Sequence, residues 1–131
     1  MNTKLLLKVK ARILKHPASI NMRHYANSCG TTGCIAGHAM AIGNKVSLWT
    51  VNSLAERDLF RTKAKKLLDL TEDQYNRLCF PNKWPDDFYK TYNELVTDYV
   101  NDKLTTDCYN NKMAQLVADY IDHFIKTETV N

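Results

Sequence analysis

The sequence predicts an all-α fold: an irregular bundle of five or six helices around a short central helix rich in glycine and alanine. Several segments repeat apolar residues at the three- and four-residue spacing of an amphipathic helix. Two segments, 53–56 and 71–74, have the composition of a capping box that starts a helix. No segment alternates convincingly as a strand, and the β-branched stretch Val46–Val51 is the one place that could hold a short extended piece.

The first two predicted helices have clear boundaries. The first covers about Thr3–Lys15 and ends before Pro17, because the residue preceding a proline avoids helical dihedral angles. The second is the short central helix, for which we expect Thr31 or Thr32 as the N-cap and Gly43 as the stop. A glycine inside a helix costs about 1 kcal/mol relative to alanine, so the small residues of this helix indicate close approach of a neighbouring backbone.

Four further helices are predicted in the rest of the chain. The third opens at the first capping box and reaches about Leu68, and the fourth opens at the second box and reaches about Cys79. The fifth follows Pro85, where two aspartates suit the positive end of the helix dipole. The sixth opens at Thr105 or Thr106 and has the clearest amphipathic pattern of the chain.

The composition predicts one helical domain, residues 1–131, with 126–131 as a polar tail. Hydrophobic residues make up 44% and charged residues 24% of the chain, which is ordinary for a globular protein. No apolar run approaches the roughly 20 residues that span a bilayer, so we expect no membrane segment. Because Lys8, Lys10 and Arg12 interrupt the apolar N-terminus, we interpret it as an amphipathic helix of a cytoplasmic protein rather than a signal peptide.

The net charge of +4 conceals an asymmetry along the chain. Residues 1–55 contain seven Lys or Arg and no Asp or Glu, whereas residues 67–131 contain six basic and twelve acidic residues. A basic half indicates an acidic protein partner or nucleic acid. Because the basic residues are mostly lysines on a helix face, we favour the other interpretation, that this half packs against the acidic half and the two electric fields cancel. The candidate cationic contacts lie on the first predicted helix: Lys4, Lys8, Arg12 and Lys15.

The stretch SCGTTGCIAGHAMAI, residues 28–42, allows a catalytic interpretation. Cys29 would lie just before a helix N-terminus, where unsatisfied amides and the helix dipole lower the pKa of a thiol from about 8.5. His24 is a candidate base if the preceding loop folds back towards the thiol. A thiol-dependent hydrolase that uses Cys29 and His24 is therefore one alternative function.

The same stretch also offers candidate zinc ligands. Cys34 and His38 are four residues apart, so they share one face of the predicted helix, and Cys29 is a third candidate. This spacing matches no standard structural zinc site, and a fourth ligand would have to come from elsewhere in the chain. We therefore favour a closely packed helix in which cysteine acts as a small apolar residue, and we expect neither a metal nor a cofactor.

The segment 80–90 carries candidates for a partner-binding surface. Trp84 and Tyr89 lie near a proline-bounded loop, where an exposed aromatic ring can contact a protein or stack on a nucleic-acid base. We nevertheless favour packing of both rings in the core or at a hinge, with the exposed partner surface as the other interpretation.

Three stretches resemble the pattern of a family of small bacterial and phage proteins. CGTTGCIAGHA at 29–39 resembles a CGTxxCxAG[HW]A motif, LLDLTEDQYNRLCFPNKWP at 67–85 resembles an LGLTxxQxxxLFxxxxWP segment, and AQLVADYIDHFI at 114–125 resembles an AxxxxxxIxxFI ending. The chain departs from this pattern at Asp69, where the family has glycine, and at Cys79, where the family has a large apolar residue. We therefore expect Cys79 to fill a core position. The resemblance implies a phage or bacterial setting and no particular chemistry.

These observations predict a small, non-catalytic accessory protein that acts in the cytoplasm of a bacterial host by binding a macromolecule, most simply a protein. Two alternatives remain open from the sequence. One is the thiol hydrolase, and the other is a nucleic-acid binder that uses the basic N-terminal half.

Overall fold

The computed structural model describes residues 1–23, 33–53 and 57–129. Within these ranges the chain forms seven α-helices and two 3-10 turns, Pro17–Ser19 and Pro81–Lys83, which confirms the all-α prediction. None of the described helices combines the length and apolar character that crossing a membrane requires. The α-helices are α1 (Thr3–Lys15), α2 (Ile35–Gly43), α3 (Leu48–Ser53), α4 (Arg57–Leu68), α5 (Glu72–Cys79), α6 (Asp86–Val100) and α7 (Thr106–Thr129).

Helix α2 lies at the centre of the fold, as its composition predicted. Residues 35–41 are all buried, and the helix packs against α1, α3, α4 and α5. It begins later than expected, because its N-cap is Cys34, whose thiol accepts a hydrogen bond from the amide of Gly37. The expected caps, Thr31 and Thr32, lie outside the described residues.

A short extended pairing joins the segment before α2 to the segment after α1. Ile20 and Gly33 form a parallel β-bridge, the only one among the described residues. The amide of Asn21 donates to the Gly33 carbonyl and the amide of Gly33 donates to the Ser19 carbonyl, both at 2.9 Å. This pairing brings the segment around Ser19 against the centre of the fold.

The stretch that could have held an extended piece is helical from Leu48 onward, in keeping with the all-α prediction. Residues Leu48–Ser53 form α3, and the Ser47 hydroxyl accepts a hydrogen bond from the Thr50 amide at 3.2 Å. Leu48 and Val51 are buried, and this burial favours a turn of helix over the β propensity of the sequence. The first predicted capping box includes residues 54–56, which lie outside the described ranges.

Helix α5 begins at the second capping box, which confirms the sequence prediction. The hydroxyl of Thr71 accepts a hydrogen bond from the Gln74 amide at 3.2 Å, and the Gln74 side chain accepts one from the Thr71 amide at 3.0 Å. The inner face of the helix buries Tyr75, Leu78 and Cys79. Cys79 therefore occupies a core position, as its departure from the family pattern indicated.

We expect Thr71→Ala to lower the free energy of unfolding by about 1 kcal/mol, because the Gln74 amide at the start of α5 loses the hydroxyl that accepts its hydrogen bond. Urea denaturation followed by circular dichroism measures this change. Thr91→Ala is the matched control: Thr91 is exposed inside α6, and its hydroxyl donates to the Asp87 carbonyl one turn earlier. We expect the control to change stability by less than about 0.5 kcal/mol. Equal losses in the two variants would contradict the role of the cap.

Helices α6 and α7 form a hairpin that covers one side of the bundle, and α7 also packs along α1. Helix α6 has no fully buried residue, and most of its apolar side chains are half-buried against the core, whereas Val100 at its end is exposed. Helix α7 starts where the sequence predicted and extends to Thr129. Residues 126–129 of the predicted polar tail are therefore helical, and Glu128 forms an ion pair with Arg77 of α5 at 2.7 Å.

Candidate binding surface

The candidate catalytic pair lies outside the part of the chain that the structure describes. Cys29 and His24 both fall between residues 23 and 33, so the thiol-hydrolase hypothesis stays a prediction. Cys29 was also one of the three candidate zinc ligands, and the other two, Cys34 and His38, are described.

Cys34 is a buried N-cap of α2. Its Sγ accepts a hydrogen bond from the Gly37 amide at 3.4 Å, and burial raises the pKa of the thiol to about 11. Burial also raises the pKa of Cys79, whose sulfur lies close enough to Cys34 to interact with it electrostatically. Because the thiolate is the form that attacks substrates and binds metals, both environments favour an inert, neutral thiol.

His38 is fully buried and holds α2 against the segment after α1. Its Nε2 lies 2.8 Å from the carbonyl oxygen of Ser19, and Nδ1 has no hydrogen-bond partner in the described ranges. Burial lowers the pKa of the imidazole to about 4, so the ring is neutral and Nε2 donates its proton to that carbonyl. No group of three or more His, Cys, Asp or Glu among the described residues is placed to hold a metal ion.

Trp84 lies in the core, so the expectation that it belongs to an exposed partner surface is wrong. Its side chain is 4% exposed, its indole stacks on Tyr120 with ring centroids 4.4 Å apart, and Nε1 donates to the Leu78 carbonyl at 3.1 Å. The loop folds inward at this point because the free energy of a large aromatic ring is lower in the core than in water. Tyr89 is half-buried against the same core, and its role in binding stays a prediction.

Most other aromatic rings are occupied by contacts within the bundle. Tyr99 and Tyr109 stack on each other with centroids 4.2 Å apart, and Tyr75 is fully buried. Trp49 is the one aromatic ring in the described ranges that is more than half exposed, at 60%. A stacking platform for single-stranded nucleic acid needs several exposed rings in a line, which these residues do not provide.

The predicted cationic residues of α1 do not all face the same way. Lys4, Lys8 and Lys15 are exposed, and their spacing of four and seven residues places them in one row along the helix. Arg12 is half-buried on the side where its charge reaches His38. Among the described residues no ion pair involves the three lysines of the row, whereas Lys10 forms one with Asp122 of α7 at 2.6 Å. The charge of Lys10 is therefore balanced by the acidic half of the chain, whereas the charges of the lysine row are not balanced by any ion pair among the described residues.

Two exposed leucines lie beside the lysine row. Leu7 is 45% exposed and Leu14 is 39% exposed, and the exposed Ala11 lies between them. The leucines are separated by seven residues, or about 10 Å along the helix axis, so they lie nearly in line. They occupy the side of α1 opposite its buried residues, which are Leu5, Leu6, Val9 and Ile13. We call the following six residues the α1 outer face: Lys4, Leu7, Lys8, Ala11, Leu14 and Lys15.

The helical pattern of α1 predicted the stripe that faces the core and assigned no role to Leu7 and Leu14. The signal was nevertheless present in the sequence. Consecutive residues of an α-helix point about 100° apart, so the run Leu5-Leu6-Leu7 and the pair Ile13-Leu14 cannot all face the same side. A helix that has more large apolar residues than one buried stripe can hold is therefore expected to expose some of them.

The chain was compared with models of protein families, with curated proteins and with solved structures, and none of the three comparisons gave a match. The resemblance to the small bacterial and phage proteins therefore stays a prediction. The choice between functions depends on the geometry of the described residues, and above all on the α1 outer face.

Proposed function

We propose that this protein is a small, non-catalytic accessory protein that binds a protein partner through the α1 outer face, in the cytoplasm of a bacterial cell and in a phage or bacterial setting. One observation supports this function most directly: two leucines in line are exposed beside a row of lysines, on a face whose charged residues are all lysines. Burying apolar surface against a partner contributes about 25 cal/mol for each Å² removed from water. Single exposed leucines are common on protein surfaces, but an aligned pair flanked by one sign of charge is typical of a helix that pairs with another chain.

A protein fits the α1 outer face better than nucleic acid does. Binding of nucleic acid depends on cations and polar groups that contact phosphates, and on exposed rings that stack on bases. Leu7 and Leu14 would lose water against a phosphate backbone without gaining a contact in return. The acidic residues of 67–131, twelve against six basic ones, also weaken the attraction of a polyanion to the whole molecule.

Photo-crosslinking at Ala11 tests the proposed function. Ala11 is exposed between the two leucines, so a photoreactive amino acid there contacts a bound partner without replacing either leucine. In bacterial lysate we expect one predominant crosslinked protein. The double variant Leu7→Ser/Leu14→Ser should lower its yield by about tenfold, which corresponds to the loss of about 1.4 kcal/mol of binding free energy.

The control for crosslinking is the same photoreactive group at Lys90, an exposed position on α6. We expect that position not to capture the Ala11 partner. Retention of the protein on DNA that depends on Lys8 and is insensitive to the leucine substitutions would favour nucleic acid instead. Absence of any leucine-dependent crosslink would contradict the proposed function.

A further inference from the structure

We propose that the α1 outer face binds an amphipathic helix of its partner, one with an apolar row flanked on one side by glutamate or aspartate. This inference rests on the proposed function and adds the chemistry of the partner segment. It depends on the spacing of the apolar residues, on the charges beside them, and on the absence of a matching surface in the described part of this chain.

The apolar residues of the face have the spacing of a helix-pairing seam. Leu7, Ala11 and Leu14 follow one another at steps of four and three residues, which is the alternation of the a and d positions of a coiled coil. Ala11, between the two leucines, has only a methyl side chain, so a larger apolar side chain of a second helix can approach α1 at that position. The seam runs from Leu7 to Leu14, about 10 Å along the axis of α1, so the contact takes about one heptad of a partner.

The two flanks of the seam differ in charge. On one side Lys8 and Lys15 follow the two leucines, and Lys4 lies at the N-terminal end of the seam, in line with Ala11. All three are exposed, without an ion pair among the described residues. On the other side Lys10 is already neutralised by Asp122 of α7. A partner helix therefore gains from carboxylates along only one of its edges, the edge that lies against the lysine row. Charges at such flanking positions select partners and orientations in helix pairs.

A second copy of this chain does not fit the face. Two α1 helices that pair along the seam bring a lysine row against lysines of the other copy, which like-charge repulsion disfavours. The acidic surface of α6 is the other candidate within this chain, and it includes Asp86, Glu94 and Asp98. The remaining residues lining that surface are mainly polar, and no leucines lie among them to meet Leu7 and Leu14. The proposed occupant is therefore a different protein.

Three synthetic helical peptides of three heptads test this inference against the full-length protein by fluorescence anisotropy. The first has leucine at the seam positions and glutamate at the flanking positions. The second is identical except that lysine replaces glutamate, and the third has the composition of the first in scrambled order, without a seam. We expect the glutamate peptide to bind at least about tenfold more tightly than either of the others, and its affinity to fall as salt is added.

Charge exchange gives the sharpest control. The triple variant Lys4→Glu/Lys8→Glu/Lys15→Glu should lose affinity for the glutamate peptide and gain affinity for the lysine peptide. Leu7→Ser should weaken binding of the glutamate peptide to the wild-type protein and binding of the lysine peptide to the triple variant. Helix α4 offers a matched leucine and lysine at exposed positions, Leu59 at 51% exposure and Lys63, so Leu59→Ser and Lys63→Glu should leave binding unchanged.

The outcomes separate this inference from the proposed function. Equal binding of the glutamate and scrambled peptides would show attraction of charge alone, as for nucleic acid or an anionic vesicle, and would overturn the inference. Dimerisation of the protein that Leu7→Ser abolishes would identify a second copy as the occupant and would also overturn it. If no peptide binds but the crosslink from Ala11 in lysate depends on the leucines, the partner chemistry is wrong and the proposed function stands. If both fail, both are wrong.

Discussion

Trp84→Ala is expected to destabilise the protein by about 3–5 kcal/mol, as the truncation of large buried aromatic residues does elsewhere. The indole is 4% exposed and is enclosed by Tyr120, stacked at 4.4 Å, and by Tyr92, which meets it edge-on at 5.7 Å. The substitution also leaves the Leu78 carbonyl without the donor that Nε1 supplies at 3.1 Å. Urea denaturation followed by far-ultraviolet circular dichroism measures the loss.

The chain contains only two tryptophans, and the other one is a matched control. Trp49 on α3 is 60% exposed, so Trp49→Ala should change the free energy of unfolding by less than about 1 kcal/mol. The control variant also isolates Trp84 as the single tryptophan, whose fluorescence should shift to longer wavelength on unfolding. Equal losses for the two substitutions, or emission from native Trp84 at the wavelength of exposed indole, would contradict the burial of Trp84.

Local signals in the sequence were enough to predict most helices. The proline after α1, the capping box before α5 and the apolar spacing of α7 each act within a few residues, and each is confirmed. The start of α2 was missed because a cysteine thiol is not among the usual N-cap groups, although Cys34 takes that role. The helix at Leu48–Ser53 was missed because contacts with the core decide its conformation against local propensity.

The candidate surface was only partly predictable, for a related reason. The exposure of Lys4, Lys8 and Lys15 follows from the helical pattern of α1 itself. The burial of Trp84 depends on Tyr120, which lies 36 residues later in the chain, and no local pattern reports that contact. Whether an aromatic residue in a proline-bounded loop faces solvent or core is therefore a property of the tertiary structure, and the sequence left both alternatives open.

Lowering the pH from 7 to 5 is expected to reduce the free energy of unfolding by about 2 kcal/mol because of His38 alone. Burial lowers the pKa of this imidazole from its usual 6.5 to about 4, and the nearby charge of Arg12 acts in the same direction. In the unfolded chain the ring regains its usual pKa and takes up a proton below about pH 6.5. The unfolded state then binds more protons than the folded state, so stability falls as the pH decreases from about 6.5 towards about 4, where the loss is nearly complete.

Comparison of the wild type with His38→Gln isolates this contribution. Glutamine does not titrate, so the stability of the variant should change little between pH 7 and pH 5. Its amide can still donate to the Ser19 carbonyl. We expect the variant to be less stable than the wild type at pH 7. The hydrogen bonds from Lys65 and Arg61 lower the pKa of Glu72, which places the titration of that carboxylate below the window measured. The control is His16→Gln, the same substitution at an exposed position outside the core, and its pH dependence is compared with the wild-type slope. If His38→Gln kept the wild-type dependence of stability on pH, the imidazole of His38 would have to take up its proton as readily in the folded protein as in the unfolded chain. The complete burial of the ring against the Ser19 carbonyl opposes that uptake.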